Sequence, residues 1–345
     1  MKATVYHGAR DVRLENVADP RLREPTDAIV RITHAAICGS DLWFYRGVTQ
    51  WDPGDRTGHE FVGIVEESGS EVTSVRKGDR VIAPFVISDG TCEFCAAGLQ
   101  TSCIHGQSWG DDANGAQAEA VRVPLADGTL VRMPEAVAAD DRKLAAALSL
   151  TDVMSTGHHG VVSANVHKSG SVTIIGDGAV GLCAVLSARR LGLAHIIAIG
   201  HNARRLQQAQ EFGATQIFNS REPQVVQEII EATSGGAGSV VEAVGGQNSM
   251  DLALRIVRDG GTVSFVGVPH GVAELDVRRL FTGNVALRGA LAPARAYIPE
   301  LLRDVESGKL DPSPIFDLRV PLERVAEGYI AMDERAAIKV LLEVA

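Results

Sequence analysis

Hydrophobic and polar positions follow two different patterns along the chain. Up to about residue 150, short apolar runs are separated by Gly, Asp and Pro, which predicts a mostly β segment. Examples of these runs are 28–32, 61–65 and 80–83. Helical spacing first appears over 140–150. From residue 171 onward, strand-like and helix-like segments alternate, which is typical of a doubly wound parallel sheet of the α/β class.

The alternating part has short buried runs that predict strands and longer periodic runs that predict helices. The predicted strands cover 172–175, 196–199, 216–218, 239–244 and 262–266. The predicted helices cover 179–191, 203–212, 224–233 and 249–257. A helix over 296–307 and a strand over 338–342 follow, and we expect them to return to the first domain.

Composition narrows the class of protein. A length of 345 residues suggests roughly two domains. Lys and Arg total 33 and Asp and Glu total 43, a formal charge of −10 that argues against nucleic acid or anionic membrane as partners. No apolar run approaches the ~18 residues of a membrane helix, and the first residues lack the apolar stretch of a secretory signal. We therefore expect a cytoplasmic enzyme.

A glycine turn predicts a dinucleotide site. Gly176, Gly178 and Gly181 form G-x-G-x-x-G between a predicted strand and a predicted helix. In that context the first glycine allows a tight turn, the second lets amides approach a pyrophosphate, and the third allows close packing of helix and strand. The alternative is a glycine turn that binds nothing.

The end of the next strand bears on which cofactor is used. NAD enzymes usually place an acid about 20 residues past the glycines to bind the ribose hydroxyls. This chain has Gly200 there, followed by His201, Asn202, Arg204 and Arg205. Without the acid, and with basic residues that can neutralise a 2′-phosphate, the sequence favours NADP(H) over NAD(H). The alternative is that Arg204 and Arg205 belong to a solvated helix face.

Clustered cysteines predict a structural zinc site. Three of the five cysteines lie in one short segment, at Cys92, Cys95 and Cys103, with Asp89 spaced as an earlier ligand. Four such ligands suit a closed tetrahedral zinc site. Glu93 and His105 are the alternatives to Asp89. A redox C-x-x-C pair would need a thioredoxin-like context, which is missing here.

A second group of candidate ligands is dispersed along the chain. It comprises Cys38, Ser40 and Asp41 in one segment, His59 and Glu60 in another, and Asp152. Singly, each residue has an ordinary structural explanation, such as a buried thiol or a helix-capping carboxylate. Together they suit a catalytic zinc, which takes few protein ligands and keeps one position open.

Several motifs resemble those of the zinc-containing medium-chain alcohol dehydrogenases. They are Gly58-His59-Glu60-x-x-Gly63-x5-Gly69-x-x-Val72, Cys38-Gly-Ser40-Asp41 and Lys77-Gly-Asp-Arg-Val81, followed by the cysteine lobe and the glycine turn. The resemblance covers essentially the whole chain. It implies a GroES-like catalytic domain over 1–153 with a zinc lobe at about 89–103, a Rossmann NAD(P)-binding domain over 154–291, and a return to the catalytic domain over 292–345. The active site would lie in the cleft between the domains.

The resemblance also implies roles for single residues. Cys38, His59 and Asp152 match catalytic zinc ligands, and Glu60 matches a neighbour that joins or leaves the metal. Asp41 would orient the ring of His59, and Ser40 would hydrogen-bond the substrate oxygen. For the cofactor, Thr156 and Val180 would touch the nicotinamide, Val244 and Val268 would line the cleft, and Lys339 would lie near the pyrophosphate.

The chain departs from the family pattern at three positions. Asp152 replaces a cysteine, which indicates the branch with a carboxylate ligand. Asp89 stands where a fourth lobe cysteine is usual. Trp43 stands where several relatives have a histidine that passes the proton to solvent.

The function that the resemblance implies is reversible hydride transfer between an alcohol and its ketone or aldehyde, with zinc and NADP(H) or NAD(H). The partners would be a small-molecule substrate and further copies of the chain, as a dimer or tetramer. Two alternatives are a zinc-free quinone or enone reductase of the same superfamily, and a cofactor-binding protein without catalysis. The ligand set disfavours both.

Overall fold

The computed structural model describes residues 1–110, 114–166, 170–289 and 291–344. The chain divides into two compact units. Unit 1 consists of Met1–Asp152 and Pro293–Ala345, and unit 2 consists of Val153–Ala292. Over the described ranges, every helix is too short or too polar to cross a membrane.

The first part of unit 1 is built mainly from strands. They are β1 (Lys2–Gly8), β2 (Asp11–Asn16), β3 (Ala28–Ile37), β4 (Phe61–Ser68), β5 (Arg80–Ala83), β6 (Val86–Ile87), β7 (Gln107–Ser108), β8 (Ala120–Val123) and β9 (Val131–Arg132). The helices are α1 (Asp41–Tyr45), α2 (Glu93–Ala96), α3 (Ala126–Thr129), α4 (Glu135–Ala138) and α5 (Asp141–Leu150). The predicted β character of this segment and its first longer helix are confirmed.

Unit 2 alternates helices with strands. The helices are α6 (Val153–Ser163), α7 (Ala179–Arg190), α8 (Ala203–Phe212), α9 (Val225–Ala232), α10 (Gln247–Ile256) and α11 (Val277–Gly283). The strands are β10 (Ser171–Ile175), β11 (His195–Gly200), β12 (Gln216–Asn219), β13 (Ala237–Glu242), β14 (Val257–Phe265) and β15 (Ala286–Gly289).

The chain then returns to unit 1. This last part contains α12 (Ala294–Glu306), β16 (Phe316–Pro321), α13 (Val325–Asp333) and β17 (Lys339–Glu343). Single 3₁₀ turns lie at Gln100–Ser102, Ser313–Ile315 and Leu322–Arg324. In this part, β17 pairs antiparallel with β3 of the larger sheet, and β16 pairs parallel with β17.

The larger sheet of unit 1 has the order β16-β17-β3-β4-β5-β9, with β8 also paired to β3. Strand β3 is central, and its residues Ile32, Ala35, Ala36 and Ile37 are fully buried. Burial of apolar surface stabilises this sheet by about 25 cal/mol per Å² removed from water. The same packing fixes the ends of β3 and β4, where the candidate ligands lie.

The sheet of unit 2 has the order β12-β11-β10-β13-β14-β15, and its neighbouring strands are parallel. This is the order of a Rossmann sheet, with the direction of winding reversing between β10 and β13. The expected α/β class is therefore confirmed. Ligands of such sheets bind beyond the carboxyl ends of the strands at this reversal.

One predicted strand ends earlier than expected. The apolar run 239–244 predicts a strand through Val244, but β13 ends at Glu242. The Oε1 atom of Glu242 accepts hydrogen bonds from the amides of Val244 and Gly245, each at 2.8 Å. These bonds turn the backbone out of the sheet and leave Val244 half-exposed.

Candidate metal and cofactor sites

The first candidate metal centre lies where strands of unit 1 end. Cys38 directly follows β3 and His59 and Glu60 directly precede β4. Because β3 and β4 are antiparallel, with Ala35 opposite Phe61, the end of one strand meets the start of the other. Asp152 joins them just after α5. Pairing of the strands thus brings residues about 20 positions apart into one cluster.

The donor atoms of this cluster face one another. The Sγ atom of Cys38 lies 3.2 Å from Oδ2 of Asp152, and Nε2 of His59 lies 3.3 Å from the same oxygen. With Glu60 included, one donor atom from each of the four residues lies within 4.8 Å of the others. The structure therefore assembles the four residues that the sequence proposes for a catalytic zinc.

Asp41 supports the cluster from behind. It is the first residue of α1 and is buried. Its Oδ2 accepts from the Cys38 amide at 2.9 Å, and its Oδ1 lies 3.4 Å from Nδ1 of His59. A carboxylate on one ring nitrogen leaves the other to a metal, which is how histidine ligands are usually oriented. Gln117, missed by sequence reasoning, donates to Asp41 at 3.2 Å.

The electrostatics of the cluster suit a cation. Burial, together with Asp152 and Glu60, raises the pKa of the Cys38 thiol to about 11. Burial disfavours charge on His59, but Asp41 and Asp152 outweigh it and raise the pKa of that ring. In the described part of the chain, no group hydrogen-bonds to the buried Oε1 of Glu60. An unpaired carboxylate oxygen beside a thiol and an imidazole fits a zinc ion in chemistry and in charge.

Lys339 contacts Glu60, a contact that the resemblance, which implied a position near the pyrophosphate, did not predict. The side chain is 1% exposed, and its Nζ donates to Oε2 of Glu60 at 2.6 Å and to the carbonyl of Ile37 at 3.2 Å. Strand β17 pairs beside β3, so its first residue reaches the metal cluster from the core. The ammonium of Lys339 therefore neutralises Glu60 in the core of unit 1.

Removing the charge of Lys339 is expected to destabilise unit 1. Lys339→Met leaves the carboxylate of Glu60 buried without its cation, and such a loss typically costs about 3–5 kcal/mol. We expect a lower urea midpoint for zinc-loaded protein. The exposed Lys309→Met is the matched control and should leave the midpoint unchanged. A Lys339→Met midpoint equal to that of wild type would contradict this view of the pair.

The second candidate metal centre is the cysteine lobe. Donor atoms of Asp89, Cys92, Cys95 and Cys103 lie within 4.8 Å of one another, with the sulfurs of Cys92 and Cys103 3.9 Å apart. Cys92 is the N-cap of helix α2 and Cys95 lies within that helix, while Cys103 directly follows a 3₁₀ turn. The structure thus brings together the proposed set of four.

Asp89 is held in place by its own hydrogen bonds. Its Oδ1 accepts from the amides of Thr91 at 2.8 Å and Cys92 at 2.9 Å. Its Oδ2 lies 2.7 Å from Nδ1 of His105. Burial opposes ionisation, but these bonds hold the pKa of Asp89 well below its usual value. An ionised, oriented carboxylate is a suitable fourth ligand, and His105 contacts it from outside.

We expect the zinc ion of the cysteine lobe to stabilise the folded protein. Cys95→Ser should lose one zinc ion and lower the thermal midpoint, because loss of a structural metal is among the largest single-residue effects, about 4 kcal/mol or more. Metal analysis and a thermal scan measure both. Glu93 is an exposed residue of α2, and the Glu93→Gln variant should keep this zinc ion. Loss of the ion in that variant would show that Glu93, and not Asp89, is the fourth ligand.

The cofactor candidates of unit 2 lie at the reversal of its sheet. Gly176 follows β10 with φ of +126°, a conformation that other residues rarely adopt. A Cβ at Gly178, the N-cap of α7, would meet nothing within 4 Å. The amides that begin this 12-residue helix therefore border open space, which fits a pyrophosphate.

Most of the other predicted cofactor residues lie at the same edge. Val244 and Val268 are half-exposed just past β13 and β14, and Val180 lies in the first turn of α7. Thr156 is buried in α6, a helix that packs on α7. Gly200 ends β11, and Asn202 caps α8 by accepting from the Arg205 amide at 3.2 Å. His201, Arg204 and Arg205 lie in the same turn and first helical residues.

Sequence reasoning missed Asp177 in this region. It lies inside the glycine turn, and its Oδ2 accepts from the amides of His201 and Asn202 at 2.8 and 2.9 Å. A carboxylate between the two glycines is the signal that was available. The carboxylate of Asp177 therefore lies at the end of β11, where residue 200 of the sequence is a glycine and not an acid.

Comparison with known proteins agrees with this geometry. Residues 24–135 match the family model described as alcohol dehydrogenase GroES-like domain, and residues 179–307 match zinc-binding dehydrogenase. A probable zinc-binding alcohol dehydrogenase of Mycobacterium tuberculosis is 38% identical over 97% of this chain and 86% of its own.

Two further relatives are informative. The solved alcohol dehydrogenase TADH from Thermus sp. ATN1 is 36% identical with a TM-score of 0.91, covering both chains fully. An NADP-dependent isopropanol dehydrogenase of Clostridium beijerinckii is 33% identical over 81% of each chain.

Proposed function

As a member of the zinc-dependent medium-chain alcohol dehydrogenase family, the chain is an oxidoreductase, and we propose that it interconverts alcohols with ketones or aldehydes at the cluster of Cys38, His59 and Asp152. The observation that carries the proposal is this donor set with the unpaired Oε1 of Glu60 beside it. A non-catalytic protein has no need of such a cluster.

Each group of residues has a role in this proposal. Cys38, His59 and Asp152 hold zinc, and Asp41 keeps the ring of His59 in place. When bound, zinc would polarise the substrate oxygen and the nicotinamide would exchange a hydride with the substrate carbon. Ser40, next to Asp41 at the start of α1, relays the hydroxyl proton of the alcohol: it accepts that proton while its own hydroxyl proton passes on toward solvent. The lobe of Asp89, Cys92, Cys95 and Cys103 holds a second, structural zinc.

The glycine turn of unit 2 holds the dinucleotide in this proposal. Amides at the start of α7 bind the pyrophosphate, and Val244 and Val268 border the nicotinamide half. The expectation of NADP(H) is supported by Gly200 and by the NADP-dependent relative. Asp177, a carboxylate at the same strand end, opposes it. A dimer or tetramer and a cytoplasmic location stay predictions.

A substrate panel tests the proposal. Zinc-loaded protein is assayed with primary and secondary alcohols, and in reverse with ketones, aldehydes, quinones and enones, using both cofactors. We expect cofactor-dependent turnover of alcohols and of their carbonyl products. Turnover of quinones or enones alone would identify the zinc-free reductase class, and binding of cofactor without any turnover would identify a non-catalytic protein.

A further inference from the structure

Asp177 brings a carboxylate to the end of β11 from a different strand. The residue follows β10, which lies beside β11 in the parallel sheet. Parallel neighbours end at the same edge, so the glycine turn after β10 reaches the turn after β11. There Oδ2 of Asp177 accepts both the His201 and the Asn202 amide.

Gly200 and Asp177 are complementary in space. A Cβ at Gly200 would lie 2.5 Å from Cβ and 2.7 Å from Oδ2 of Asp177. No ordinary side chain fits at residue 200 while Asp177 keeps this position, because real carbon contacts are never that short. Because Gly200 has no side chain, it leaves the space that the side chain of Asp177 occupies.

The local charge is consequently less positive than the sequence suggests. Arg205 is 8% exposed, so little of it is accessible to a cofactor. The Nδ1 atom of His201 lies 3.8 Å from Oδ2 of Asp177, so this ring nitrogen faces the carboxylate. Arg204 is the exposed basic residue of the three. An anion placed at this edge therefore meets a fixed negative charge.

We infer that Asp177 is the residue that selects the cofactor, disfavouring the 2′-phosphate so that the protein binds NAD(H) more tightly than NADP(H). The adenosine ribose of a dinucleotide bound to a Rossmann sheet lies at the end of the second strand, which is β11 here. Like charges a few Å apart repel, and a carboxylate there accepts from ribose hydroxyls instead. The inference rests on the proposed function, because it requires that the glycine turn binds a nicotinamide dinucleotide.

Asp177→Asn tests the charge without removing the acceptor. Its amide oxygen can still accept from His201 and Asn202, so the turn is kept while the repulsion is lost. We expect wild-type protein to bind NADH about tenfold or more tighter than NADPH, and Asp177→Asn to narrow that ratio about tenfold, mainly by tightening NADPH. Titration calorimetry with each purified cofactor measures both dissociation constants without turnover.

Asp259→Asn is the matched control. Asp259 is exposed in the first half of β14, away from its carboxyl end, so the same change in net charge should leave the ratio unmoved. If Asp177→Asn does not fold, Asp177→Ser retains a hydroxyl acceptor and takes its place.

The outcomes separate the inference from its premise. Tighter binding of NADPH by the wild type, or a ratio that Asp177→Asn leaves unchanged, overturns the role of Asp177 while the proposed function stands. Failure of the wild type to bind either cofactor instead contradicts the proposed function itself.

Discussion

Replacing Cys38 by serine is expected to abolish alcohol oxidation and remove one of two zinc ions per chain. The thiol lies 3.2 Å from Asp152 and is one of three proposed ligands of that ion. Lewis-acid stabilisation is worth several kcal/mol, so turnover should fall by about 10³-fold or more. Metal analysis and the rate with one good alcohol are measured on the same sample.

Cys183→Ala is the matched control for this variant. Cys183 is also a buried thiol, but it lies in α7 of unit 2 and belongs to neither candidate metal cluster. The control should keep both ions and wild-type turnover. A Cys38→Ser protein that kept two ions and full activity would show that the cluster is not the catalytic zinc site.

Removing the hydroxyl of Ser40 is expected to cut alcohol oxidation by about 10²–10⁴-fold, the usual range for a proton-transfer group. Ser40 precedes α1 and is partly exposed, with Asp41 of the cluster beside it. Ser40→Ala leaves the zinc ligands in place, so zinc content should stay at two ions. The measurement is a pH–rate profile of the variant against wild type.

Trp43→Ala gives the contrasting result. An indole N–H only donates, so Trp43 cannot accept the proton as a histidine would at this position. Trp43 is partly exposed in α1 and lies under the guanidinium of Arg46, 5.9 Å from the ring centre. We expect a changed KM and substrate preference with kcat largely kept. If Trp43→Ala lost turnover with every substrate while Ser40→Ala kept its turnover, the roles assigned to Trp43 and Ser40 would be reversed.

Elements with local signals were predictable from the sequence. Helix α8 covers Ala203–Phe212 as the pattern predicts, because Asn202 caps its start and Gly213 ends it. Strand β13 ends two residues before the predicted end because the side chain of Glu242 accepts hydrogen bonds from the amides of Val244 and Gly245. An apolar run carries no information about such a side-chain hydrogen bond.

The metal clusters were predictable as residue sets, since Cys38, His59 and the lobe lie in motifs that resemble those of the family and Asp152 matches a ligand position. Their supporting contacts were not predictable. Lys339 meets Glu60 across 279 positions of sequence, through a pairing of β17 with β3 that no local pattern specifies. The resemblance to the family implied that Lys339 lies near a cofactor. In the structure its ammonium is buried beside the carboxylate of Glu60.

The strand end of β11 shows the same limit. The rule that looks for an acid after the second strand examines residue 200 and finds glycine. Asp177 reaches that point from the neighbouring turn, and only the three-dimensional arrangement shows that Gly200 is small because Asp177 fills its place. The absence of an acid at residue 200 therefore does not mean that the end of β11 lacks a carboxylate.

The most direct test of the zinc-dependent mechanism follows activity against metal content. Wild-type protein is treated with a chelator in steps, and zinc per chain is measured beside alcohol-dependent reduction of the cofactor. We expect activity to fall in proportion to loss of the ion at Cys38, His59 and Asp152, and to return when Zn²⁺ is added. Full alcohol turnover by protein that holds no zinc at this cluster would contradict the account.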